Sequence, residues 1–127
     1  MEWSEFLLWG MFGMTVDVCF TALRKRKLNL IGHTSVWMFP IYALGLTYGF
    51  EFIHYCVPDD IPRYLSYPFW IWGVEILFGG LGIKLGIRAW DYHYLPDSLH
   101  WRGLISFIHY PLWVGFGILV EMIKLSI

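Results

Sequence analysis

Residues 67–88 read YPFWIWGVEILFGGLGIKLGIR. The only charges in this stretch are Glu75, Lys84 and Arg88. A helix that crosses a bilayer needs about 20 mostly apolar residues, and this segment supplies them. Glu75, Gly79, Gly82 and Gly86 recur at i, i+4, i+7 and i+11, which places them on one face of a helix. Glycines on a face let another backbone come close. The stretch therefore predicts a membrane helix with an acid set on a packing seam.

Similar stretches lie on both sides. Reading outward, the spacing predicts spans over Trp3–Leu23, Thr34–Val57, Tyr67–Arg88 and Gly103–Leu125. Between them lie the basic run Arg24-Lys25-Arg26-Lys27, the turn Pro58-Asp59-Asp60-Ile61-Pro62-Arg63, and a loop from Ala89 to Arg102. The whole chain has 127 residues, 57% hydrophobic, 20% aromatic and 15% charged, with a mean hydropathy of +0.53. Soluble domains are about 45–50% apolar and about 25% charged. The composition excludes a disordered chain and argues against a soluble globule. The expected fold is all-α: one integral membrane bundle of four transmembrane helices covering residues 1–127, with the lipid bilayer as its main partner.

The net charge of −1 gives no field that would draw nucleic acid. Cys19 and Cys56 fall in apolar stretches without CxxC spacing and read as small buried hydrophobes. Glu2 and Glu5 replace the basic residues that open a cleavable signal peptide, so none is expected. Lys84, Arg88 and Arg102 join the basic run on one side, against Arg63 and Lys124 on the other. The positive-inside rule then predicts both termini away from the cytoplasm, and a plasma (inner) membrane is the expected location.

Charges inside a bilayer cost about 2.5–3.5 kcal/mol each on insertion scales, so the intramembrane acids Asp17, Glu51, Glu75 and Glu121 should face protein or water. Asp17 shares a face with Gly10 and Gly13 in the first span. Thr47, Glu51 and His54 share one in the second, opposite the Gly45/Gly49 pair. At a rise of 1.5 Å per residue, Glu51 and Glu75 lie about 9 and about 12 Å in from the outer ends of their spans. With His54 and Glu121 they would occupy the outer half of the bundle, as a cation, proton or headgroup site or as structural bonds. No GxSxG, HExxH, P-loop or GxGxxG motif occurs. His33, His93, His100 and His109 have no zinc-site spacing. Trp90, Asp91 and Tyr92 directly follow the third span, where they order the loop or touch a substrate.

At these motifs the sequence resembles the transmembrane protein 229 family and the related bacterial proteins labelled ABC-transporter type IV, or CmpB-like permeases. The resemblance covers roughly Gly13 to Glu121. It rests on Asp17-Val18-Cys19-Phe20-Thr21-Ala22, Gly32-His33-Thr34-Ser35-Val36-Trp37 with Ile41-Tyr42, Trp72 with Glu75 and Gly79, Trp90-Asp91-Tyr92, and Gly103-Leu104-Ile105-Ser106. Asp17 stands where the family usually carries glutamate, and His93 where it carries serine. The resemblance implies a four-span membrane protein. The expected function is handling of an ion or small polar solute, as a homo-oligomer or a transporter subunit. The rivals are a scaffold subunit of a larger membrane complex, and a membrane enzyme acting on a lipid or isoprenoid with Glu75 or Asp91 as its acid. Glu75, Glu51, Asp17, His54, Asp91, Trp90 and Tyr92 are the candidate site residues.

Overall fold

A computed structural model describes residues 3–24 and 36–126. Lys25, Arg26 and Lys27 of the basic run, the Gly32-His33-Thr34-Ser35 portion of the family motif, and the expected start of the second span at Thr34 lie outside the described residues. The chain divides into two compact units, Met1–Glu51 and Phe52–Ile127.

In the first unit, α1 (Trp3–Arg24) packs on α2 (Met38–Leu44). The sequence puts glycines where the contact is closest. A Cβ on Gly10 would lie 2.5 Å from the edge of the Phe39 ring, and one on Gly13 would overlap Tyr42. Trp9 is fully enclosed beside this seam, and Phe6 meets Phe39 edge-on at 5.8 Å. The small-residue face read from Gly10, Gly13 and Asp17 is thus a helix-packing face.

Beyond α2 the helix widens into a π turn, Gly45–Gly49, and continues as α3 (Phe50–Cys56), which runs across the unit boundary. The hydroxyl of Thr47 donates to the carbonyl of Ala43 at 2.5 Å. That carbonyl is the one an α-helix would offer to the Thr47 N–H, and such back-bonding loosens the local ladder. No close helix approach is seen at the Gly45/Gly49 pair among the described residues. No described atom lies within 4 Å of a Cβ built on Gly45, and Gly49 meets only the Leu44 carbonyl at 3.8 Å. The wide turn also breaks the expected Thr47–Glu51–His54 face, since Thr47 is buried and Glu51 exposed.

The second unit begins with α4, Asp60–Lys84, which starts at Asp60 rather than Tyr67. Asp59 is extended at the N-cap position, and Pro62 falls in the first turn, where no backbone donor is lost. The helix ends before the predicted Arg88. Ile87 N–H bonds the Gly82 carbonyl at 2.7 Å and Gly86 N–H the Ile83 carbonyl at 3.1 Å, with Gly86 at φ +77°. This is a Schellman end with glycine in the left-handed position. The predicted glycine seam is corrected accordingly. Gly86 turns the chain, and a Cβ on Gly82 would sit 2.8 Å from the Ile87 carbonyl of the same turn. Gly79 does receive neighbours, with Leu104 at 2.7 Å and Trp90 at 2.9 Å from a Cβ built there.

The fourth span does not begin at Gly103. Residues 100–106 form a hairpin: β1 (His100–Trp101) pairs antiparallel with β2 (Ile105–Ser106), His100 opposite Ser106. Arg102 at φ 53° and Gly103 at φ 69° make the turn, closed by Leu104 N–H on the Trp101 carbonyl at 2.9 Å. Two successive left-handed residues cannot continue a right-handed helix. A 3₁₀ turn, Phe107–His109, then leads into α5, Tyr110–Ser126.

The molecule is mostly helical, as expected, but among the described residues only two stretches, Trp3–Arg24 and Phe107–Ser126, are long and apolar enough to cross a membrane. The other two fall short of the four-span prediction. The stretch 38–56 is split by the π turn, and in α4 the Ile, Leu, Val and Phe residues are interrupted by Trp, Tyr and Gly and by the charges Asp60, Arg63, Glu75 and Lys84. Large apolar side chains lie exposed along the long helices, including Leu7, Leu8 and Met11 on α1, Leu77 and Leu81 on α4, and Leu119, Met122 and Leu125 on α5.

Candidate functional site

Antiparallel packing of α4 and α5 builds the main polar cluster of the second unit. Arg63 is 3% exposed. Its Nε donates to Glu121 Oε2 at 3.2 Å and its Nη2 to Glu121 Oε1 at 2.5 Å. Nη2 also reaches Asp60 at 2.7 Å, and Nη1 reaches the carbonyls of Pro58 and Val57 at 2.8 and 3.3 Å. Every guanidinium N–H thus has an acceptor. Tyr67 donates to Glu121 Oε2 at 2.8 Å, and His54 Nε2 stands 3.6 Å from the same oxygen. A planar fork matched to a carboxylate is the geometry in which arginine binds most strongly. With its bonding capacity used, the cluster acts as a clamp that ties the α3–α4 turn to α5.

One turn further along, the Tyr67 ring fills the space left by Gly117. Two more turns along α4 stands Glu75. Glu75 is 7% exposed. Twelve residues separate it from Arg63, about 18 Å along the helix. Its neighbourhood is aromatic. Trp72, one turn before it, packs against Phe107 at 5.8 Å and Tyr110 at 6.0 Å. His109 meets Tyr92 edge-on at 5.6 Å and Trp113 at 6.5 Å. The indole nitrogens of Trp72 and Trp113 are buried without a hydrogen-bond acceptor among the described residues.

The Trp90-Asp91-Tyr92 segment closes over α4. Trp90 Nε1 donates to the Leu104 carbonyl at 2.8 Å and Tyr92 N–H to the Gly103 carbonyl at 2.9 Å. The segment is thereby stitched to the hairpin, with the Trp90 ring against Gly79. Asp91 accepts the His93 backbone N–H at 3.0 Å, pairs with the His93 ring, and meets Arg88 at 3.2 Å. Partial burial opposes the charge on Asp91, but the His93 backbone, the His93 ring and Arg88 outweigh it and hold the carboxyl below its ordinary value. The folded value is depressed, so the stabilisation is complete above the unfolded value near 3.8 and is lost as pH falls through the lower folded one. Asp91→Asn should therefore melt below wild type at pH 6, and the gap should close below pH 3. A gap that persists at pH 3 would show that the carboxylate charge is not what orders the loop.

Of the remaining candidates, Asp17 accepts the Tyr42 hydroxyl at 2.7 Å within the first unit. Glu51 is exposed in the first turn of α3. His54 joins Glu121. In the sequence Arg63 shows only as a charge in the turn before the third span. Its signal was Tyr67 one turn later and an acid, Glu121, deep in the last helix, but nothing in the sequence alone set the α4–α5 register that joins them. No group of three or more His, Cys, Asp or Glu side chains suited to a metal ion occurs among the described residues. No family model matches the chain, and no solved structure matches it.

Proposed function

We propose that this chain is a small polytopic membrane protein that handles a proton, a cation or a small polar solute at Glu75, working as a homo-oligomer or as a subunit of a transporter. All four helical stretches cross the bilayer in this reading, with the basic side cytoplasmic and both termini away from it. The motifs that resemble the transmembrane protein 229 family support the same assignment. The observation that carries the proposal is the burial of Glu75 in the middle of α4, three residues from the buried indole N–H of Trp72. An acid in such a place is costly and marks a functional position by default.

A scaffold role is the second reading. It is favoured by the Arg63–Glu121 clamp, the Tyr42–Asp17 bond and the Trp90–Leu104 bond, which make structural use of polar groups.

Two substitutions separate the readings. Glu75→Gln keeps shape and most hydrogen bonding, whereas Glu75→Leu removes both. If Glu75 carries a proton or cation, the Gln variant folds but loses cation- or pH-dependent stabilisation and liposome flux. If it is structural, Gln behaves as wild type and Leu alone loses about 1–3 kcal/mol. Thermal unfolding across pH and added mono- and divalent cations, with flux into liposomes, reads both. Wild-type ion and pH responses in the Gln variant would leave the scaffold reading in place.

A further inference from the structure

We infer that the hairpin tip, Trp101 with Arg102, is an anchor for the phosphate of an anionic lipid headgroup. Arg102 holds φ 53°, a region where the Cβ of an L-residue crowds the backbone and where glycine or asparagine would sit more easily. Left-handed strain at a non-glycine residue gathers at sites kept for function. The Arg102 guanidinium lies over the Trp101 ring, 4.8 Å from its centroid, and Trp101 is 40% exposed. Arg102 is exposed, so the stacked cation stays open to a partner at the tip. Among the described residues no carboxylate pairs with it, since Asp91 is engaged by Arg88 and His93.

The location selects the partner. The tip stands just before the apolar stretch Phe107–Ser126, whose first residues, Phe107 and Ile108, are exposed. Indole rings settle at headgroup depth, and a planar guanidinium edge matches two phosphate oxygens. An anionic membrane surface attracts each nearby basic residue by about 1 kcal/mol, which is about a fivefold preference. This anchor rests on the membrane reading above and is separable from it by experiment.

The full chain is reconstituted with phosphatidylcholine vesicles and with vesicles containing phosphatidylglycerol, floated on a gradient, and weighed by native mass spectrometry with its retained lipids. Wild type should float with both and retain phosphatidylglycerol over phosphatidylcholine by about fivefold. Arg102→Gln should float equally and lose that preference. Arg102→Gly should also lose it, yet melt about 2–5 °C higher than wild type because the strain is relieved. An unchanged lipid preference in Arg102→Gln, or a lower Tm in Arg102→Gly, overturns the anchor and leaves the membrane reading standing. Tight binding of inorganic phosphate in lipid-free detergent overturns the lipid as occupant. A chain that floats with neither vesicle ends the membrane reading, and the anchor with it.

Discussion

Arg63→Met should destabilise the Phe52–Ile127 unit by about 3–5 kcal/mol, the cost of breaking a buried ion pair from one side. The methionine fills much of the space but leaves the Glu121 carboxylate, itself 8% exposed, with only Tyr67 and the more distant His54. The carbonyls of Val57 and Pro58 lose their donor in the same step. Adding Glu121→Leu should recover part of the loss, because an apolar pair needs no desolvation of charge. Recovery should be incomplete, since the two carbonyls and the Tyr67 hydroxyl stay short of partners. Thermal unfolding of both variants in detergent measures this. Equal stability of Arg63→Met and wild type would mean the clamp holds nothing.

Gly13→Ala should cost the Met1–Glu51 unit about 2–3 kcal/mol, at the upper end of the usual overpacking range. The added methyl meets Cβ, Cγ and Cδ1 of Tyr42, the part of the side chain nearest its own backbone. Tyr42 cannot swing clear by rotating its ring tip, so α1 and α2 must move apart or the hydroxyl must leave Asp17. Gly10→Ala provides the control. Its methyl meets Cε2, Cδ2 and Cζ of Phe39, the far edge of a ring that can tilt, so about 1 kcal/mol is expected. Tyr42→Phe isolates the hydroxyl and should cost about 1 kcal/mol. If Gly10→Ala proves as harmful as Gly13→Ala, the distinction between near and far contact atoms fails.

The helical character and the Gly10–Gly13–Asp17 face were legible because a 3.6-residue period repeats over several turns and needs no partner to be seen. The partner itself was not legible. Tyr42 lies 25 residues from Asp17, and no local rule links them. The hairpin was missed for a different reason. Its strands are two residues each, too short for a period of two to show, and its turn begins with arginine in place of the glycine or asparagine that would have marked it. The third glycine of the row that starts at Glu75 was misread because Gly86 ends a helix by the same absence of a side chain that elsewhere lets helices approach. Spacing alone does not distinguish these uses. Glu75 was legible as buried but Arg63 was not, because the first follows from its own helix and the second from two helices in register.

The division of the chain at Glu51 and Phe52 has a calorimetric consequence. Two compact units are expected to unfold as two cooperative steps, and a single enthalpy and midpoint do not then describe the melt. The Tyr42–Asp17 seam belongs to one heat-absorption peak and the Arg63–Glu121 clamp to the other. A core defect in one unit should then move that unit's own peak, so the excess heat capacity trace is expected to report where in the sequence the damage lies.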